Sequence, residues 1–66
     1  MEIKIGMKFV HRSFPNFIYT ISDINEHTLI VSWDAEVEEE EVYVTVDYSL
    51  NNALDYFDDG TWKIVE

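Results

Sequence analysis

The chain has no cysteine among its 66 residues. That excludes a disulfide framework and a thiolate metal site, and leaves apolar packing or self-association to hold the fold; it also accords with a reducing cytoplasm. Glycine occurs twice and proline once, so no Gly-rich loop can cradle a phosphate and no linker divides the chain. No apolar run approaches the roughly 20 residues needed to cross a bilayer. The opening MEIKIGMKF alternates apolar with charged residues, unlike the continuous apolar stretch of a signal peptide. The expectation is one soluble, unprocessed cytoplasmic domain, 1–66. At this length a domain buries roughly 60% of its unfolded surface, so the core is thin. Ten aromatic residues (four Phe, four Tyr, two Trp) are available to fill it.

Cations are scarce: four Lys and Arg face fourteen Asp and Glu, for a formal net charge of -10. The imbalance lies wholly in the second half. Residues 1–33 hold Glu2, Asp23 and Glu26 against Lys4, Lys8 and Arg12, summing to zero, whereas residues 34–66 hold eleven carboxylates against Lys63. Six of the eight residues in 34–41 are acidic: Asp34, Glu36, Glu38, Glu39, Glu40 and Glu41. Such a field attracts basic surfaces and repels nucleic acid and anionic membrane.

Ile3, Ile5, Met7 and Phe9 alternate with Lys4, Gly6 and Lys8, a period of two that predicts a half-buried first strand. Residues 11–17, HRSFPNF, interrupt it and read as a loop around Pro15. Strands are expected at 18–24 and 28–33, joined by a turn at Asn25-Glu26-His27. The acidic segment then reads as a loop or frayed strand end before a β-branched strand at 42–47. Leu50, Ala53, Leu54 and Phe57 fall at helical spacing behind Ser49, a suitable N-cap, and Asp58-Asp59-Gly60 supplies a stop. A closing strand at 61–65 is expected to bury Trp62 and Ile64.

This order resembles the small SH3-like or Tudor-like β-barrel. Gly6-Met7-Lys8-Phe9, Tyr19-Thr20-Ile21, Val31-Ser32-Trp33 and Gly60-Thr61-Trp62-Lys63-Ile64 carry the likeness. The resemblance implies a long first loop, a meander of strands two to four, and a helical turn before strand five. The expected fold is therefore mainly β, either a five-stranded SH3-like barrel or a strongly bent sheet, with one short helix before the last strand. The ending Tyr56-Phe57-Asp58-Asp59-Gly60-Thr61-Trp62-Lys63 also resembles endings of small bacteriophage-encoded proteins.

Little in the chain points to catalysis. His11 and His27 are the only imidazoles, placed in two expected loops with no partner at ligand spacing. Ser13, Ser22, Ser32 and Ser49 lie in no nucleophile-elbow sequence. Residues 36–41 lack the alternation and central glycine of an EF-hand, so neither a metal site nor a cofactor is expected.

Two binding readings remain, beside that of a small structural or accessory protein whose glutamate run only solubilises it. If residues 36–41 extend, Glu36, Glu38 and Glu40 stand roughly 6.8 Å apart, comparable in scale to successive phosphates on a strand. With Asp34, Glu39, Glu41, Asp47, Asp55, Asp58 and Asp59 they would imitate a nucleic-acid backbone. Phage-encoded DNA mimics are similar in being very small, very acidic inhibitors that occupy a DNA-binding groove of a host protein. On this reading the partner is a basic protein surface in the host cytoplasm. The rival is the peptide-binding cleft that the barrel resemblance implies, lined here by Phe14, Phe17, Tyr19, Trp33 and Tyr43. Phe14 and Phe17, on a loop around Pro15, must otherwise be buried in the domain, a dimer interface or a partner.

Overall fold

A computed structural model describes residues 2–65. Five antiparallel strands and one helix follow in the order β1 (Lys8–His11), β2 (Phe14–Ile24), β3 (Thr28–Val37), β4 (Glu40–Ser49), α1 (Leu50–Asp58) and β5 (Trp62–Ile64). The first four strands form a meander, and β5 adds to the far side of β1, giving the sheet order β4-β3-β2-β1-β5. The sheet is mainly β as expected but open, not a closed barrel. Its edge strands β4 and β5 do not pair, and β5 is too short to serve a ten-residue partner. The molecule is elongated, with extents of 37 × 24 × 18 Å.

Alternation along the strands gives the sheet two unlike faces. Phe9, Ile21, Leu29 and Val31 are buried on one face beneath Ala53 and Phe57 of α1 and Trp62 of β5. A ring cluster centres on Trp62, whose centroid lies 4.7 Å from Phe9, 4.9 Å from Tyr56, 5.0 Å from Tyr48 and 5.3 Å from Phe57. A β-bulge between Ile21 and Asp23 sets both Ser22 and Asp23 between core-facing Ile21 and Ile24. The helix-free face carries the opposite set, including Thr20, Ser32, Thr45 and Asp47.

The structure corrects three strand boundaries. The period-two run from Ile3 to Phe9 is strand only from Lys8. Gly6, at φ +94°, turns the chain at Ile5-Gly6, where Met7 N–H donates to Lys4 C=O at 3.2 Å. Ile5 is left 62% exposed. Second, residues 11–17 are not a long loop: Arg12-Ser13 makes a tight turn, His11 pairs with Phe14, and Phe14, Pro15, Asn16 and Phe17 already belong to β2. Pro15 is tolerated because it lies in the irregular stretch of the β1–β2 ladder and before the first β2–β3 pair at Thr20. Third, the acidic segment is neither loop nor frayed end; it continues β3 to Val37 and opens β4 at Glu40.

The helix ends largely as its sequence implies. Gly60 adopts φ +84° one residue beyond the C-cap Asp59. Ser49 occupies the N-cap position but makes no side-chain capping bond; instead Leu50 N–H donates to His27 C=O at 3.0 Å. Asp59, unfavourable to the helix dipole, has a local use. Its Oδ1 accepts from Thr61 N–H at 2.8 Å and from the Thr61 hydroxyl at 2.5 Å, directing the chain into β5. These bonds hold the Asp59 carboxyl below its ordinary 3.8.

Candidate functional site

The acidic residues are displayed on an arm formed by the distal halves of β3 and β4. The ladder runs without interruption from Thr28↔Ser49 to Val37↔Glu40, and Glu38-Glu39 alone closes the hairpin. Both turn residues have positive φ, 52° at Glu38 and 67° at Glu39. This is the signature of a type I′ turn, which matches strand twist but favours Asn-Gly because L side chains are strained there.

Reversal at Glu38-Glu39 divides the carboxylates among three positions. Register places Asp34 opposite Tyr43 and Glu36 directly opposite Glu41, all on the helix-free face, with Asp47 further back opposite Ile30. Glu40 pairs with Val37 on the helix side, and Glu38 and Glu39 form the tip. The expected linear array of Glu36, Glu38 and Glu40 is therefore absent. In its place two chains bring acids side by side, with the Glu36 and Glu41 Cβ atoms about 4.5–5.5 Å apart, a separation at which like charges destabilise the pair. Asp55 and Asp58 are exposed on α1 and Asp59 caps it, so these three sit with the helix and not with the arm.

The arm's other side is apolar. Trp33↔Val44 and Ala35↔Val42 continue the helix-side face beyond the helix, leaving Val42 40% and Val37 54% exposed. At its base, Trp33 meets Tyr19 and Phe17 at centroid distances of 5.2 and 6.1 Å, and Phe17 meets Tyr19 at 4.9 Å. These three rings of the expected aromatic cleft come together and pack on one another. Phe14 packs against His11 at 5.6 Å and, with Phe17, lines a groove formed by residues 13–17. Tyr43 is on the opposite face of the sheet.

There Tyr43 ties three strands together. Its hydroxyl donates to Ser32 Oγ at 2.7 Å and lies 3.3 Å from Ser22 Oγ, while the two serine hydroxyls bond each other. Ser32 is buried, and this network satisfies it. Because the serine hydroxyls can turn to donate to a phenolate, Ser22 first and Ser32 second hold Tyr43 below the ordinary tyrosine value, against burial and the Asp34 charge. Beside the network opens a cleft of about 530 Å³ lined by Lys8, Ile18, Thr20, Ser32, Trp33, Asp34, Tyr43 and Val65. The network was accessible to sequence reasoning only through period two: Ser22 follows Ile21, and Ser32 stands between Val31 and Trp33, so both point away from the core.

Among the described residues no group of His, Asp and Glu side chains is arranged to hold a metal ion, and no helix is long and apolar enough to cross a membrane. Comparison with known protein families, with curated proteins and with solved structures finds no match for this chain. The fold thus defines a small mainly-β protein with an open five-stranded sheet and one short helix.

Proposed function

We propose that this protein acts by binding, not catalysis, and that it seats the acidic β3–β4 arm on a basic surface of a partner protein. One observation carries the reading: at the arm's tip two local choices oppose stability. Two glutamates take left-handed backbone where glycine or asparagine is favoured, and Glu36↔Glu41, the second pair behind them, sets carboxylate against carboxylate. Stability forgone at one spot is a mark of a site held for another purpose.

A basic surface that accepts a cluster of carboxylates is of the kind that holds nucleic-acid phosphates. The particular function we favour is that of a phage-type inhibitor or modulator acting in a host cytoplasm, occupying a nucleic-acid-binding surface of a host protein without itself binding nucleic acid or membrane. The meander and the helix before the last strand agree with the SH3-like or Tudor-like likeness; the tight Arg12-Ser13 turn departs from its long first loop. A second reading, a peptide-binding module, draws support from the exposed Phe14 and Phe17 beside Pro15.

Capture from a bacterial lysate on immobilised protein tests both. Retention through charge should fall steeply as salt contracts the Debye length from about 10 Å at 0.1 M to about 3 Å at 1 M, and DNA or RNA should displace the protein from its target. Replacing Glu36, Glu38, Glu39, Glu40 and Glu41 by Gln should slow association while leaving the fold intact. A captured partner that ignores salt and the glutamines but is lost with Phe14→Ala and Phe17→Ala assigns binding to the aromatic groove and removes the charge reading.

A further inference from the structure

The sheet's two edges are managed differently. β5 exposes only Trp62–Ile64, with Lys63 at its centre, and short charged edges resist further pairing. β4 exposes ten residues, Glu40–Ser49, with no strand beyond it among the described residues. Its centre, Val42-Tyr43-Val44-Thr45-Val46, is rich in residues that favour strands.

The backbone polarity of that edge follows from the register. Leu50 N–H bonds to His27 C=O, one step beyond the Thr28↔Ser49 pair. In an antiparallel ladder bonded pairs alternate, so odd residues of β3 bond even residues of β4. The N–H and C=O groups of Glu41, Tyr43, Thr45 and Asp47 therefore point outward. Side chains along the edge are sorted as well: Val42, Val44 and Val46 share the helix side, while Glu41, Tyr43, Thr45 and Asp47 share the other.

We propose that β4 is a docking edge for an extended basic segment of a partner protein, which adds as a sixth strand and alternates cationic with apolar residues. Charge decides the occupant. A second copy would bring its own net charge of -10 against Glu40, Glu41 and Asp47, whereas a segment with Lys or Arg on the helix-free side meets Glu41 and Asp47 and sets apolar residues against the valine row. The proposal rests on the arm as an acidic docking surface and adds backbone pairing, the strand-addition mode of recognition.

Titration calorimetry with an eight-residue peptide of alternating lysine and valine tests it. Added antiparallel, like every other pair of this sheet, its lysines share the face of Glu41, Tyr43, Thr45 and Asp47, so lysine N–H groups must face β4 and valine N–H groups must face solvent. N-methylation of the lysine backbone nitrogens should weaken binding about tenfold or more, since several strand bonds are lost, and N-methylation of the valines should change it little. Thr45→Pro, which removes an outward N–H and no rung to β3, should reproduce the tenfold loss while the circular dichroism spectrum is retained. Equal binding of both N-methylated peptides, or of a block peptide of four lysines and four valines, overturns the edge and leaves the acidic arm standing. Absence of peptide binding overturns it too. Sedimentation that finds a dimer of the protein alone, converted to monomer by Thr45→Pro, assigns the edge to a second copy and overturns the basic segment as occupant.

Discussion

Replacing Glu38 by Asn and Glu39 by Gly should stabilise the protein, although neither side chain is part of the core. Both residues hold positive φ, 52° and 67°, a region that costs an ordinary L-residue roughly 1–2 kcal/mol. Asn relieves part of that cost and Gly all of it, while the added freedom of glycine in the unfolded chain returns about 0.5–1 kcal/mol. The net gain is about 1–2 kcal/mol, which in a domain of this size raises Tm by roughly 5–15 °C. Thermal melts followed by circular dichroism, and urea denaturation with an unchanged slope, would measure it. A Gln-Gln variant separates strain from charge, because it removes both carboxylates and keeps the backbone demand. If Asn-Gly leaves Tm unchanged or lower, or if Gln-Gln gains as much, backbone strain is not stored at this turn and the argument from it fails.

Trp62→Ala should cost about 3–5 kcal/mol, a large share of the roughly 3–10 kcal/mol available to a domain of this length. A urea midpoint unmoved by this change would contradict the ring cluster around Trp62. Ser32→Ala should cost about 1 kcal/mol through the hydroxyl network and move the Tyr43 phenol up toward its ordinary value, read by ultraviolet titration against alkaline pH; no movement would remove Ser32 as a cause and leave Ser22 alone. Asp59 has a folded pKa below its ordinary 3.8, so its support for the turn into β5 is full above that value and is lost as pH falls through the lower folded one. Carboxyl-resolved NMR should show the depressed titration, and Thr61→Ala, which removes the hydroxyl donor, should raise it.

Where sequence and structure agree, local signals act together. Leu50, Ala53 and Phe57 share a helical stripe, Gly60 supplies the left-handed residue after it, and Trp62 follows at once in the core; each reading supports the next. Where they disagree, one signal hides another. Gly6 stands at a polar position of a period-two run, so the run reads as strand until the backbone is seen to turn there. Pro15 reads as a loop because its cost depends on neighbours that sequence does not reveal: only the irregular β1–β2 pairing shows that the missing N–H removes no rung. The Ser22-Ser32-Tyr43 network joins three strands, and nothing local marks its members as partners.

The misread acidic segment follows a different logic. Ala35 and Val37, then Val42 and Val44, keep strict alternation up to and away from the turn, so two strands are present in the pattern. What is missing is the punctuation, since Glu-Glu carries none of the chemistry by which hairpin turns announce themselves. A reader of turn signals must place a loop there, and a reader of charge must place a linear array. Both errors share a cause: the residues occupying the turn are poor turn formers. Had stability alone set this turn, Asn-Gly would have served better. The arm keeps its ladder to the last pair, with Asp34, Glu36 and Glu41 on the helix-free face and Val37, Val42 and Val44 on the other, so the unannounced turn, the exposed β4 edge and the binding proposal all concern one segment, and a variant that changes the turn alone separates backbone strain from charge.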